Sequence, residues 1–178
     1  MQVRIKSGQT LTEPITATLW RGYSGIDDTS QDTLIETMIT ASRLWLEDHT
    51  GRSVISKSYE VQFDKSDGFE NWYMLPFSPV TSITTCEIDD TAVTYSERGL
   101  DIIEIYPDSV IGTGTTNNII EVEFIAGLTD QRAVVALYRI VTDLFDARKD
   151  NPAAQVSSAV LKWDTMKLVN QLSNNTSI

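Results

Sequence analysis

One cysteine, Cys86, and one histidine, His49, are all that this 178-residue chain has of the two side chains that most often ligate metals or attack substrates. A lone cysteine cannot close an internal disulfide, and it suits a reducing cytoplasm. Two residues fall short of the four His/Cys ligands of a structural zinc site. A Ser-His-Asp or Cys-His centre would have to use His49, and no G-x-S-x-G elbow exists to present a serine. Cys86 therefore reads as a small core filler and His49 as a helix-end residue. Long apolar runs are missing too: the longest span only a few residues, where a bilayer-crossing helix needs about 20. The opening "MQVRIKSGQT" has a basic pair but no apolar stretch after it, so no signal peptide is expected. Positive charge is scarce as well. A net charge of −11 argues against free DNA as a tight surface ligand.

What is present is a foldable composition. Hydrophobic residues at 41% and charged residues at 22% allow a packed core and argue against wholesale disorder. The charge is uneven. Residues 1–52 carry 5 Lys/Arg and 7 Asp/Glu, residues 53–128 carry 3 and 13, and residues 129–178 carry 6 and 5. Nearly all the excess negative charge thus sits in the middle segment.

That segment also differs in its periodicity. "MQVRIKS" reads as a short strand. "LTEPITATLWRG" reads as a short helix with Thr12 as N-cap, Pro14 in its first turn and Gly22 past its end. The second helix is clearer. Either Ser30 or Asp32 caps it. Leu34, Ile35, Met38, Ile39, Ala41, Ser42, Trp45 and Leu46 form its apolar stripe, and Glu36, Thr40, Arg43 and Glu47 face away. Gly51 closes it in the left-handed conformation, with His49 and Arg52 near its terminal carbonyls. Strand alternation starts at once with Val54, Ile55, Tyr59, Val61 and Phe63.

Further short strands are expected in "NWYMLP", "PVTSITTCEID", "TAVTYSE", "LDIIEIYP" and "NNIIEVEFIAG", separated by turn signals. A helix then runs from a cap at Thr129 or Asp130 to about Arg148. Its stripe is Val134, Leu137, Val141, Leu144 and Phe145, with Arg132, Arg139, Asp143 and Asp146 facing away. "DNPA" breaks the chain, and a last helix runs from about Ala153 to Leu172. It has two apolar stripes, Ala159-Val160-Trp163-Met166 and Leu161-Leu168-Leu172, the pattern of a helix that touches two surfaces. "SNNTSI" reads as a frayed tail.

The expected fold class is α+β: a small bundle of about four helices carrying a mainly antiparallel β insertion, a small sandwich or barrel. The expected division is 1–52 and 129–178 as the two helical parts and 53–128 as the insertion. No motif in this frame carries chemistry. "IGTGTTNN" lacks the G-K-[ST] ending of a phosphate loop and reads as a hairpin loop. Asp27-Asp28 and Asp89-Asp90 lack the alternating spacing of a calcium loop, and turns attract Asp for their own reasons. Nothing singles out a carboxylate pair of the glycosidase type among the 25 acids. No metal or cofactor is expected. The tryptophans at positions 20, 45 and 163 lie on expected helices, where core packing is the plain reading, and Trp72 lies beside Phe69 and Tyr73 on an aromatic strand.

Several phrases occur together in a telling order. They are "EPITATLWRGYSGID", "DTLIETMITASRLWLEDHTGRSVISKSYEV", "YMLPFSPVTSI", and "IEVEFIAGL" leading into "VVALYRIVTDLFDARKD". Between Glu13 and Asp150 the chain resembles the head–tail connector (head completion or neck adaptor) proteins of tailed bacteriophages. The resemblance implies a non-enzymatic virion subunit, assembled in the host cytoplasm, with no membrane partner. It implies a ring, usually dodecameric, below the portal protein that extends the DNA channel and docks the next neck or tail protein. DNA would pass without specific binding. The acidic insertion itself leaves two readings open, a part of the channel wall or an acidic outer surface that serves solubility. Trp163, Met166, Leu168 and Leu172 of the last helix are the candidate portal-docking residues, the alternative being that this helix completes the bundle. The rival reading is a virion or surface β-module that binds a polymer or carbohydrate on a solvent-facing platform near Trp72 and Tyr73.

Overall fold

The computed structural model describes residues 1–64, 72–99, 104–107, 119–127, 130–150 and 160–174. The side chains of residues 149, 150 and 174 lie outside that set. Expectations for Phe69, "IGTGTTNN", Thr129, "DNPA", Ala159 and the end of the tail also fall outside it. The chain forms two compact units. One comprises Met1–Leu11 with Ile55–Leu128, the other Thr12–Val54 with Thr129–Ile178.

The first unit holds two antiparallel sheets. Gln2–Ile5 (β1), Lys57–Phe63 (β2), Val80–Ile88 (β4), Thr91–Ala92 (β5) and Ile120–Ala126 (β8) form a five-stranded sheet in the order β1-β2-β8-β4-β5. Tyr73–Met74 (β3), Tyr95–Arg98 (β6) and Glu104–Pro107 (β7) form a second sheet in the order β3-β7-β6. Strict alternation along β2 and β8 buries every second residue. Their inward residues, Tyr59, Val61, Phe63, Ile120, Val122, Phe124 and Ala126, meet Tyr73, Leu75, Val80, Cys86 and Ile105 in one apolar cluster. Residues of both sheets share that cluster, as in a sandwich, and neither sheet closes into a barrel among the described residues. Cys86 is core filler here: burial, with the charge of Glu87 behind it, pushes its thiol pKa up to about 11. Asp89 and Asp90 occupy the two-residue β4–β5 turn with φ of 47° and 62°. A primed hairpin turn needs just such backbone, so the acid pair serves the turn.

The second unit is helical: Ala17–Ser24 (α1), Asp32–Thr50 (α2), Gln131–Asp150 (α3) and Trp163–Asn174 (α4). Four helices and antiparallel sheets make the α+β class expected from the sequence. Several boundaries differ. α1 begins at Ala17, because the cap is the Thr16 hydroxyl, which accepts the Leu19 N–H at 3.3 Å. Gly22 lies inside this helix, and Gly25 at φ 68° closes it. The N-cap of α2 is Gln31, with no side-chain hydrogen bond, so neither Ser30 nor Asp32 caps it. Gly51 at φ 66° ends α2 as expected, its N–H reaching the Glu47 carbonyl. Asp130 caps α3 by accepting the Arg132 N–H at 2.8 Å, and the Arg132 side chain lowers its carboxyl pKa. α4 begins at Trp163, with residues 160–162 before it non-helical, and the expected start at Ala153 lies outside the described residues.

The helical core is Trp20 of α1, Ile35, Ile39 and Leu46 of α2, Leu137, Ile140 and Val141 of α3, and Leu161, Val169 and Leu172 around α4. Trp20 lies 5.0 Å from the Phe145 ring, and its indole N–H donates to the Thr142 hydroxyl at 3.2 Å. Three charged residues expected to face away are buried instead: Arg43 at 3% exposure, Glu47 at 6% and Asp143 at 5%. Ala41, expected on the apolar stripe, is exposed.

Candidate functional site

The buried charges are there because each finds a partner on another segment. Arg43 sits one turn before Glu47 on α2, and its Nη1 donates to Glu47 Oε2 at 2.6 Å. Its Nε donates to Glu13 Oε2 at 2.8 Å and its Nη2 to Glu13 Oε1 at 3.1 Å. The Thr40 hydroxyl also donates to Glu13, at 3.0 Å. Glu47 Oε1 accepts the N–H of Val54 at 2.9 Å. One carboxylate thus fixes both the salt-bridged arginine and the chain leaving the helix. Burial works against the Arg43 charge, but the Glu13 hydrogen bonds and the Glu47 charge outweigh it and raise the pKa.

Asp143 performs the matching task for α4. Its Oδ2 accepts the Lys162 N–H at 2.9 Å and the Thr165 hydroxyl at 2.7 Å. Lys162 Nζ stands 3.2 Å from Oδ1 and 3.3 Å from Asp146. A carboxylate at a helix N-terminus satisfies its free N–H groups and its dipole, which explains why α4 starts where it does.

The four docking candidates separate. Leu172 is 4% exposed and belongs to the helical core, so it is not part of an open surface. Met166 and Leu168 are half-buried and pack against the same core. Trp163 is 73% exposed, with Lys167 Nζ 5.3 Å above its ring. The buried stripe of α4 is Thr165, Val169 and Leu172. Thr165 and Val169 escape a reading that counts only strong apolar residues at fixed spacing. His49 is also exposed: its ring stacks on Trp45 at 4.9 Å and its Nε2 lies 3.4 Å from Asn170 Oδ1.

At the rival site Trp72 is half-buried, and Phe69 lies outside the described residues. Tyr73 is 2% exposed and packs 5.1 Å from Phe63 inside the sheet core. The acidic character of this unit concentrates elsewhere. Register places Glu60 opposite Glu123 and Glu121 opposite Glu87, all on the face turned away from the apolar cluster. Like charges directly opposite repel. Countercharges come from β1 and its end: Arg4 bridges to Glu60, and Lys6 Nζ donates to Glu123 at 2.7 Å. Gln62 donates to Glu121. Among the described residues no group of three His, Cys, Asp or Glu is placed to hold a metal ion, and no helix is long and apolar enough to cross a membrane.

The model of the family described as HCP, head completion protein, matches residues 13–144. No curated protein matches the chain. Solved structures share its fold, three among them from gene transfer agent particles. A chain from the neck of an empty GTA particle, computed with C6 symmetry, superposes with a TM-score of 0.73 at 14% identity, over 97% of this chain and 95% of that one. A chain from the virion of a native gene transfer agent (GTA) particle gives 0.72 at 15%, over 97% and 95%. One from the neck of a native GTA particle with C12 symmetry gives 0.61 at 15%, over 92% and 94%.

Proposed function

The chain belongs to the head completion protein family, and on that premise we propose that it forms a ring below the portal of a tailed phage, extends the DNA channel and docks the next neck or tail protein. Its role as a structural head–tail neck subunit follows from the family match across residues 13–144, the observation that carries this reading. Fold likeness along almost the whole chain to proteins from particle necks supports it.

Within the ring, the sheet face bearing Glu60, Glu87, Glu121 and Glu123 is the candidate channel wall; Arg4 and Lys6 offset Glu60 and Glu123, so its net negative charge comes from Glu87 and Glu121. Carboxylates repel phosphates and release no counterions, so DNA slides past such a wall without being gripped. α4 is the candidate portal-docking helix, and its exposed Trp163 is the anchor. A large aromatic that leaves water on binding typically dominates the energy of an interface. Replacing Trp163 with Ala should weaken binding to purified portal at least about tenfold, since such anchors contribute roughly 2 kcal/mol or more. The same change should move unfolding stability by no more than about 0.5 kcal/mol, because the side chain packs on little. Surface-immobilised portal and urea denaturation measure the two quantities. Unchanged portal affinity would remove α4 from the docking surface.

A further inference from the structure

α2 and α3 pack against each other, and α1 and α4 each touch both. The solvent faces of α2 and α3 therefore point to opposite sides of the helical unit. They are unlike in charge and both carry exposed apolar groups. On α2, Ala41, Leu44 and Asp48 lie on one exposed line, with Leu44 48% exposed. Beside that line a cleft of about 260 Å³ is lined by Glu13, Ile15, Thr16, Glu36, Ile39 and Thr40; Glu13 is paired with Arg43, so the acidity of this side comes from Glu36 and Asp48. On the other side, Val135 and Arg139 stand one turn apart on α3, both exposed. Leu19 and Tyr23 stand one turn apart on α1, and the Tyr23 ring lies 4.8 Å from that of Tyr138. This side is apolar and basic.

We propose that the α2 face of one copy seats against the α1/α3 face of a second copy, Leu44 and Asp48 meeting Val135 and Arg139. The proposal rests on the ring reading for its choice of occupant. The arrangement of the contact comes from the faces themselves. Each face meets its own copy with like charge, and meets the other with opposite charge and a matching apolar centre. Two unlike faces on opposite sides of a subunit make a heterologous, head-to-tail contact, which generates a ring when the rotation closes.

Cysteine variants test this in assembled particles. Leu44→Cys, Val135→Cys and the double variant are treated with a short bis-maleimide and separated under denaturing conditions. The buried native Cys86 stays out of the reaction. The double variant should give a ladder beyond the dimer, and each single variant only monomer. Dimers from a single variant, or a monomeric double variant in particles that contain the chain, would overturn the contact and leave the ring reading standing. Absence of the wild-type chain from particles would instead overturn that reading. Charge reversal gives an independent check. Asp48→Arg and Arg139→Glu should each reduce incorporation about tenfold or more, and the combination should restore it. Loss without restoration contradicts the pairing.

Discussion

Arg43→Leu should lower the unfolding free energy by about 3–5 kcal/mol, the usual cost of removing one partner from a buried ion pair. The side chains of Arg43 and Glu47 are 4% and 8% exposed, so neither charge has water to fall back on. Removing the guanidinium takes from buried Glu47 its 2.6 Å charged hydrogen bond, and it leaves Glu13, in the segment before α1, tied to α2 through the Thr40 hydroxyl. A leucine fills part of the volume but cannot satisfy either acid. The companion change Glu47→Gln, which keeps an oxygen for Val54 and removes a buried charge that has lost its arginine, should recover part of the loss. Urea unfolding followed by tryptophan fluorescence reads this well, because Trp20, Trp45 and Trp163 all belong to the helical unit. A loss below about 1 kcal/mol would mean that the network behaves as an ordinary surface pair.

Asp143→Ala should have the next largest effect, about 2–4 kcal/mol, and it should act on α4 first. The change removes the acceptor for Lys162 N–H and for Thr165, and it removes one of the two carboxylates facing Lys162 Nζ. Amide exchange along Thr165–Ser173 should quicken more than in α2, and Asp143→Asn, which keeps a carbonyl acceptor, should restore much of the protection. Exchange unchanged in α4 would show that core contacts of Val169 and Leu172 hold it alone. The pH dependence has a definite sign. Hydrogen bonding to Asp143, then to Asp146, raises the Lys162 pKa. Its contribution is therefore complete below the ordinary lysine value and fades only as pH rises past the folded-state value. The latch should be insensitive to pH around neutrality.

The same residues mark the limits of reading this sequence. The junction "EDHTGRS" was legible because Gly51 and the change from helical to strand periodicity are local signals, and the structure keeps both. The alternating insertion was legible as antiparallel β for the same reason. Arg43, Glu47 and Asp143 read as outward-facing because charge alone assigns them to water. Their burial depends on Glu13, Val54, Lys162 and Thr165, which lie up to 30 positions away and leave no periodic trace. The start of α1 went to Thr12 because Thr-x-Pro imitates a helix entry, yet Glu13 is held by Arg43 and Thr16 supplies the cap. Leu172 read as surface because "LKWDTMKLVNQL" alternates strong apolar residues with small and polar ones. The inward stripe runs through Thr165 and Val169 and takes Leu172 with it, which leaves Trp163 outside.

The central claim is that this chain acts as a structural subunit at the head–tail vertex. Cryo-electron microscopy of purified particles, with and without the gene for this chain, tests it most directly. The account predicts a ring of copies between portal and tail that fits both units, with Glu60, Glu87, Glu121 and Glu123 facing the channel, and loss of tail attachment when the gene is deleted. Particles that carry tails and package DNA normally without this polypeptide, or a vertex that never contains it, would contradict the account.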